Sequence, residues 1–287
     1  MNVLVLTDLH LTSNRYAGRI GDFTTDVDSK LEEVIQITRE IDVEAVLCAG
    51  DTFHRPDVSY STVTRFINFI ERLNRPFITI AGSHDLFGNN LDALYRTALG
   101  LCERLNLIEL LYPDVRPTTR IGDITVGIQG TKVDIELVHG CILPNPDFGE
   151  YTLIKDYNTV AKLVIVGHYH RGYDICIKNG SKFICPGSLV RTSADKSELT
   201  RRPRVAIINN DLEVVWRELK SAKPGKEVLL PSIVTNQLDF TDMITDWGHI
   251  SKLENVDAVS LLTEIAFKDN VPVDILKYAL NFLEEQR

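Results

Sequence analysis

The chain lacks the features that membrane and secreted proteins need. No run in its 287 residues approaches the roughly 18 uninterrupted apolar residues of a membrane span. Met1 leads straight into strand-like sequence, without the basic segment and apolar core of a signal peptide. These two absences predict a cytoplasmic protein with no membrane partner.

Positive charge is also scarce. The chain carries 31 Lys and Arg against 40 Asp and Glu, which gives a net charge of −9. This balance argues against a protein that binds nucleic acid by bulk electrostatics alone. It does not exclude a nuclease, because bound metal ions add positive charge where acidic residues cluster.

Cysteine occurs in an odd number and without a close-spaced pair. The neighbours are mostly apolar, which favours buried free thiols in a reducing compartment over disulfides or a cysteine-ligated zinc. The five cysteines are Cys48, Cys102, Cys141, Cys176 and Cys185.

Histidine and aspartate, in contrast, recur at one kind of position. Apolar runs rich in β-branched residues predict buried strands, and six of the seven histidines follow such runs, with only His249 apart. We expect these side chains to converge, because α/β sheets place ligands at the carboxyl ends of their strands. The runs and the residues after them are 3–7 with Asp8 and His10, 45–50 with Asp51 and His54, 77–82 with Ser83 and His84, 135–138 with His139, and 164–167 with His168 and His170.

Helices are expected between the first strands, which gives βαβ units with right-handed crossovers. The first helix is predicted to start at an N-cap on Thr25 or Asp26, and the second at Ser59 or Ser61. A third helix is predicted from about residue 91 to 105.

Short strands with turn residues between them dominate the middle of the chain. From 107 to 138 this pattern predicts antiparallel strands, and 145–157 a loop with a short helix. Asn179-Gly180 predicts a hairpin turn, and strands near 175, 183, 205–209 and 212–219 are expected to complete a second sheet.

The overall expectation is an α/β fold in which two sheets form a sandwich with helices outside. We predict a catalytic domain at 1–220 and a small C-terminal helical or α/β unit at 221–287, after a linker at 223–226. That unit is expected to cap the site or to dock a partner.

The chemistry of the converging residues favours metal ions. Carboxylates and imidazoles without a cysteine suit divalent manganese, iron or zinc, and six such ligands suffice for two ions. One shared acid would set the ions roughly 3.5–4 Å apart, a spacing that binds a phosphate and stabilises its entering and leaving oxygens. Taken singly, each residue is more simply a turn, cap or loop residue. The coincidence of five strand ends favours the metal site, with the ligands Asp8, His10, Asp51, His139, His168 and His170.

The order and spacing of these motifs resemble the calcineurin-like metallophosphoesterases over roughly residues 1–215. The resemblance implies one metal ion at Asp8, His10, Asp51 and His170, and a second at Asp51, Ser83, His139 and His168. It also implies that His84 donates a proton to the leaving oxygen or stabilises charge on the phosphoryl group. The motifs are Asp8-Leu9-His10, Gly50-Asp51, Gly82-Ser83-His84-Asp85, His139-Gly140 and Gly167-His168-Tyr169-His170.

Ser83 departs from the family pattern, which usually has an asparagine whose amide oxygen binds metal. A serine hydroxyl is shorter and a weaker ligand, so the second ion is expected to be looser or more hydrated. Ser83 as a simple turn residue is the alternative.

Two further segments, 50–56 and 186–191, resemble the SbcD-type DNA repair nucleases. That resemblance implies a manganese-dependent enzyme, with magnesium, iron or zinc as alternatives. Such an enzyme is an exonuclease on duplex DNA ends and an endonuclease on single strands. It also implies an SMC-like ATPase subunit of the SbcC type as partner. A homodimer through helices at about 58–74 and 89–105 is implied as well.

Other roles stay open at this point. His54 is predicted to orient a bridging group or the substrate, or else is a loop histidine. Arginines near the motifs are candidate contacts to DNA phosphates or ordinary surface residues. They are Arg55, Arg171, Arg191, Arg201 and Arg202.

Two alternative functions also remain. One is a phosphatase or phosphodiesterase acting on small nucleotides or phosphoproteins. The other is a scaffold protein, in which Ser83 marks a weakened site.

Overall fold

The computed structural model describes residues 2–14, 16, 18–147, 150–193 and 196–230. The expected C-terminal unit therefore lies, apart from its first ten residues, outside the described residues, as does His249. Within the described part, no helix has the length and apolar character needed to cross a bilayer.

The described residues contain strands and short helices in close alternation. The strands are β1 (Asn2–Leu6), β2 (Ala45–Cys48), β3 (Phe77–Ile80), β4 (Glu109–Leu111), β5 (Thr118–Ile121), β6 (Ile124–Ile128), β7 (Ile135–His139), β8 (Ile142–Leu143), β9 (Thr152–Leu153), β10 (Leu163–Gly167), β11 (Tyr173–Lys178), β12 (Ser181–Cys185), β13 (Arg204–Asn209) and β14 (Val214–Glu218). The α-helices are α1 (Phe23–Glu40), α2 (Tyr60–Leu73), α3 (Ala98–Arg104), α4 (Lys196–Thr200) and α5 (Gly225–Val228). Three 3-10 turns span Ser83–Asp85, Phe87–Asn89 and Leu91–Arg96.

Two six-stranded mixed sheets form the framework, so the predicted α/β two-sheet fold is confirmed. The first has the order β14-β13-β1-β2-β3-β4, and the second the order β11-β12-β10-β7-β6-β5. Strands β1 to β4 run parallel, as do β12, β10, β7 and β6. The carboxyl ends of the central strands therefore meet at one edge of each sheet.

The two faces of the first sheet pack differently. Alternate residues of β1, Val3 and Val5, lie in the apolar cluster that also holds Ile165 of the second sheet. Leu4 and Leu6 point the other way, into the cluster that contains the apolar stripes of α1 and α2. Because both faces are buried, the strand reads as a continuous apolar run rather than an alternating one.

The helix boundaries differ from the sequence prediction in two places. Helix α1 begins one turn earlier, because the Asp22 carboxylate accepts hydrogen bonds from Thr24 N (2.8 Å) and Thr25 N (3.2 Å) as its N-cap. The expected helix at 91–105 is divided, because the Thr97 hydroxyl caps Gly100 N at 3.0 Å and starts α3 anew. The predicted Ser59 cap of α2 is confirmed.

The observed pairing of the strands differs more from the sequence prediction than the helix boundaries do. Between 107 and 138, β5 pairs antiparallel with β6 and Tyr112 forms an isolated antiparallel bridge with Arg116, whereas β4 runs parallel to β3 and β6 parallel to β7. Strands β13 and β14 join the first sheet beside β1, not the second. Local residue patterns give the period of a strand but not its partner, which is why these assignments were wrong. The described part of 145–157 contains β9 instead of the expected short helix.

The turn at Asn179-Gly180 is confirmed. Both residues have positive φ, 50° and 87°, as the two-residue turn between β11 and β12 requires.

Residues 221–230 pack against earlier parts of the described chain and belong to the same compact unit. Leu229 is fully buried, Ile20 N donates to Val228 O at 2.8 Å, and Leu230 N donates to Gly18 O at 2.8 Å. The segment 223–226, expected to be a linker, is held in the same way, since Arg191 donates to Lys223 O at 3.0 Å.

Asp134 ties the end of one loop to the second sheet and gives a testable dependence on pH. Its carboxylate accepts hydrogen bonds from Thr125 N (3.0 Å), Thr125 Oγ1 (2.7 Å) and Lys162 Nζ (2.9 Å). These bonds, first that of the Thr125 backbone, lower the pKa of Asp134 to about 2. The folded state therefore holds the proton less tightly than the unfolded chain, and the stabilisation is present above about pH 4 and lost towards pH 2.

Asp134→Asn is expected to lower the free energy of unfolding at pH 7 by roughly 1–2 kcal/mol and to flatten its decline below pH 4. Urea denaturation between pH 2 and 7 measures both effects. The matched control is Asp123→Asn, an exposed residue of the neighbouring turn. Identical acid dependence in the two variants contradicts this role of Asp134.

Candidate metal centre

Five strands deliver the candidate ligands to one place: β1, β2, β3, β7 and β10. Hydrogen bonds join the loop after β1 to the loop after β2, from Asp8 N to Gly50 O (3.1 Å) and from His10 N to Asp51 O (3.0 Å). His168 N, at the end of β10, donates to both carboxylate oxygens of Asp8 at 3.1 Å. The backbone itself therefore assembles the candidate centre.

Glycines at the strand ends allow these loops to approach each other. A Cβ atom on Gly82 would lie 2.2 Å from Asp51 Oδ1, and one on Gly167 would lie 2.1 Å from Ala49 O. Neither distance is possible in a folded protein without displacement of the backbone. The glycines at positions 82 and 167 are thus packing requirements.

Backbone strain also concentrates at this site. Asp8, His10, Asp51 and His168 have φ angles of 52°, 43°, 51° and 84°, in the left-handed region that non-glycine residues rarely adopt. Such strain persists only where the surrounding structure enforces it, and it is typical of functional sites.

The first ligand group consists of Asp8, His10 and His170, whose ligand atoms lie within 4.8 Å of one another. The Nε2 atoms of the two imidazoles are 2.8 Å apart. Asp8 Oδ1 lies 3.9 Å from His10 Nε2 and 3.7 Å from His170 Nε2.

The second ligand group consists of Asp51, His139 and His168, again within 4.8 Å. Asp51 Oδ2 lies 3.2 Å from His139 Nε2 and 3.7 Å from His10 Nε2, which belongs to the first group. One carboxylate oxygen therefore lies between the two groups.

Outer hydrogen bonds fix the orientation of three of the imidazoles. His139 Nδ1 donates to Ala49 O at 2.8 Å, and His170 Nδ1 lies 3.1 Å from Thr192 Oγ1. His10 Nδ1 lies 3.5 Å from His54 Nδ1. In each ring the outer nitrogen is engaged and Nε2 is directed inward, as in metal-ligating histidines.

The inward atoms fit divalent cations. Asp51 Oδ2 and His139 Nε2 are buried and make no hydrogen bond with any of the described residues. Buried polar atoms without partners are rare, and two imidazole nitrogens facing each other at 2.8 Å share at most one proton. Imidazoles and carboxylates of this arrangement suit manganese, iron or zinc.

Burial and mutual charge perturb these groups strongly. Burial raises the pKa of Asp8 to about 6. Burial also disfavours the charged forms of Asp51 and His139. The attraction between this carboxylate and this imidazolium is stronger than the effect of burial, so the pKa of Asp51 falls and that of His139 rises to about 9. A cation bound between such groups neutralises the carboxylates in place of these protons.

His84 and His54 lie beside the first group. His84 is exposed, and its Nδ1 donates to His54 O at 2.8 Å, which leaves Nε2 as the free nitrogen of the ring. The two rings stack at 5.0 Å, and each also meets the His10 ring edge-on, at 4.7 Å for His84. His54 therefore contacts a candidate ligand and the candidate acid at the same time.

Ser83 begins the 3-10 turn after β3 and is half-buried. Its neighbour His84 donates its backbone N to Asp51 Oδ1 at 2.8 Å, so the serine lies next to the second ligand group. Ligation by Ser83 stays a prediction.

Several supporting residues were not predicted. Asp85 is fully buried and accepts hydrogen bonds from the backbone N of Gly82 (3.0 Å), Thr52 (3.2 Å) and Phe53 (2.8 Å), which ties the loops after β2 and β3 together. Burial raises its pKa to about 7. Asp85 could be recognised from the sequence, because it follows His84 in the motif. No local feature of the sequence indicated that Thr192 contacts His170.

The five arginines divide into two classes. Arg191 and Arg201 have side chains only 1% and 8% exposed, and they donate to backbone carbonyls around residues 188–201. Their guanidinium groups have no free surface for a DNA phosphate, so the expected contact is replaced by a structural role. Arg55, Arg171 and Arg202 remain exposed, at 62%, 50% and 74%.

Gly82→Ala tests whether the close approach to Asp51 builds the centre. The added Cβ must displace the carboxylate, so we expect manganese affinity to fall by at least about tenfold in isothermal titration calorimetry. Gly140→Ala is the matched control, because a Cβ there meets no atom within 4 Å although it adjoins His139. Equal affinities in both variants would contradict the assignment.

The chain is similar in sequence to two curated proteins of different description. One curated relative is a probable cyclic nucleotide phosphodiesterase from Xenorhabdus bovienii, 36% identical over 91 residues, or 31% of this chain and 36% of that one. Another is the DNA double-strand break repair protein Mre11 from Methanosarcina mazei, 21% identical over 98% of this chain and 52% of that one. This chain thus spans about a third and about half of the lengths of these relatives.

Among solved structures, a single mutant of Vps29 from Entamoeba histolytica aligns with a TM-score of 0.40 and 16% identity, over 77% of this chain and 94% of that one. A likeness of this size carries no functional argument. The sequence profile described as calcineurin-like phosphoesterase matches residues 1–208, well over half of the 287 residues. The chain belongs to the calcineurin-like phosphoesterase family, whose members are hydrolases that use divalent metal ions.

Proposed function

We propose that this protein is a two-metal phosphodiesterase that hydrolyses DNA, acting as an exonuclease on duplex ends and an endonuclease on single strands. The observation that carries the proposal is the position of Asp51 Oδ2, 3.2 Å from one ligand group and 3.7 Å from the other. A carboxylate shared in this way is what a pair of ions acting on one phosphate requires.

In this proposal each ion is held by one of the two four-residue sets that the family resemblance implies. Asp8, His10 and His170 would hold one ion and His139, His168 and Ser83 the other, with Asp51 common to both. Divalent ions there supply Lewis acidity towards the phosphoryl oxygens and lower the pKa of water. We propose manganese as the resident metal, because its carboxylate and imidazole ligands suit this ion and because the SbcD-type nucleases that segments 50–56 and 186–191 resemble depend on it.

His84 supplies the remaining chemistry in this proposal. The His54 carbonyl holds Nδ1 as the donor, so Nε2 of the exposed ring is available to exchange a proton with a leaving oxygen. Its ring lies against His10, which places it at the edge of the first ligand group.

Support for DNA as substrate comes from three sources. The relative that aligns with nearly the whole chain, 98% of it, is a double-strand break repair protein. Two segments, 50–56 and 186–191, resemble SbcD-type nucleases. Exposed Arg55 and Arg171 directly follow His54 and His170, where phosphates flanking the reacting one would pass.

We also propose assembly as a homodimer and with an SMC-like ATPase subunit. Exposed apolar side chains support the dimer on the expected segments, with Tyr60 89% and Tyr95 82% exposed, and Leu105 53% exposed just after α3.

Cyclic nucleotides are the second candidate substrate. They are favoured by the 36% identity to a probable cyclic nucleotide phosphodiesterase, although that match covers 31% of this chain.

A direct comparison of substrates tests the leading proposal. Manganese-loaded protein is expected to release nucleotides from linear duplex DNA with a kcat/KM well above that for 3′,5′-cyclic AMP. His84→Ala should lower kcat on DNA by about 10²–10⁴-fold, because proton transfer to the leaving oxygen is lost. Manganese affinity should stay unchanged, because His84 belongs to neither of the proposed four-residue ligand sets.

Three results would overturn the proposal in different ways. Cleavage of the cyclic nucleotide without cleavage of DNA selects the second candidate. Full activity of His84→Ala removes the proposed acid. Absence of both activities and of manganese binding supports a scaffold protein.

A further inference from the structure

A small cavity continues the candidate metal centre along the edges of both sheets. It lies at the ends of β3, β4, β6 and β7, lined there by Ala81, Tyr112, Gln129 and His139. In the first sheet β4 follows β3, and in the second β6 follows β7, so the cavity is one strand further out than the ligands. Carboxyl ends of strands are where α/β sheets bind ligands.

His139 belongs both to the lining of this cavity and to the second ligand group. Its Nε2 lies 3.2 Å from Asp51 Oδ2. A molecule in the cavity would therefore bind next to a proposed metal ligand. One part of a substrate could occupy the cavity while its phosphate lies at the proposed ions.

The size of the cavity limits its occupant. Its volume of about 170 Å³ is smaller than the roughly 300–1,000 Å³ of sites that enclose drug-sized molecules. It is several times the roughly 30 Å³ that one water occupies in the liquid. A single ring system with its substituents fits, and a longer nucleotide chain must stay outside.

The lining determines the chemistry of that ring. Most wall residues are apolar, including Leu91, which is 38% exposed, and Ile128. Tyr112 adds an aromatic ring and a hydroxyl, and Gln129 adds an amide. Apart from His139, no acidic or basic side chain of the described residues lines it. An anionic group would find no cation to pair with, whereas an uncharged aromatic ring with polar edges would be matched.

We propose that this cavity, defined by Ala81, Leu91, Tyr112, Ile128, Gln129 and His139, binds a nucleobase of the substrate. The inference rests on the proposed action on nucleic acid and adds the part of the substrate that this chain recognises. Tyr112 stacks on or packs against the base, and Gln129 bonds to its edge. Stacking on an aromatic side chain tolerates every base, which suits an enzyme without strict sequence preference.

Two ligands that differ only in the base isolate this contact. Isothermal titration of the manganese-loaded full chain with deoxyadenosine 5′-monophosphate and with deoxyribose 5-phosphate compares their affinities at an identical phosphate. We expect the nucleotide to bind about tenfold more tightly or better. Equal affinities in the unmodified protein overturn the proposal without recourse to any variant.

Two substitutions then locate the contact. Leu91→Trp fills the cavity and Tyr112→Ala removes its aromatic wall, so each should weaken nucleotide binding about tenfold and leave deoxyribose 5-phosphate unchanged. Val215→Trp is the matched control, since Val215 is 61% exposed and does not line the cavity. Equal weakening of both ligands, or the same effect from Val215→Trp, overturns the assignment.

The same titration separates this inference from the proposed function. If the nucleotide binds more tightly than the sugar phosphate and DNA is not cut, the cavity stands and the nuclease proposal falls. If DNA is cut and the two ligands bind equally, the nuclease proposal stands and the cavity assignment falls.

Discussion

The position of the Asp51 carboxylate is the constraint on which the rest of this structure depends. Its Oδ2 lies between His10 and His139, buried and without a hydrogen bond to the part of the chain that the structure describes, while Oδ1 accepts a hydrogen bond from the backbone N of His84. This arrangement needs a left-handed Asp51 and a glycine at position 82, where any side chain would collide with the carboxylate. The backbone strain and the burial of this carboxylate oxygen therefore lower the stability of the fold, and a cation bound to Oδ2 would compensate for the burial.

The fold supplies this geometry through two parallel-stranded sheet centres whose ends meet. Two buried arginines, Arg191 and Arg201, hold the backbone behind the first ligand group. Arg201 donates to Ser188 O at 2.6 Å, and Ser188 Oγ in turn donates to Asp8 O at 2.8 Å. Arg191 fixes the same loop through the carbonyls of Glu198 and Arg201. Residues that look like phosphate contacts in the sequence thus hold the backbone under the first ligand group.

The sequence predicted what is local and missed what is distant. Apolar runs identify β1, β2, β3 and β10, because a doubly buried parallel strand must read that way. The last three of these runs end in glycine. The type of residue after each run gives the candidate ligands. The place of β13 and β14 in the first sheet and the contact of Thr192 with His170 depend on residues far along the chain, and no local pattern encodes them. The burial of Arg191 follows from the same non-local packing. The Asp22 cap is local, but only a small energetic difference separates it from a cap at Thr25 or Asp26.

The central claim is that one carboxylate serves two cations. Crystals soaked in manganese and measured at an energy where manganese scatters anomalously test it directly. The account predicts two anomalous peaks roughly 3.5–4 Å apart, both within bonding distance of Asp51, one beside His10 and His170 and the other beside His139 and His168. A metal-replete protein with no peak at Asp51, or with a single ion bound by other residues, would contradict it.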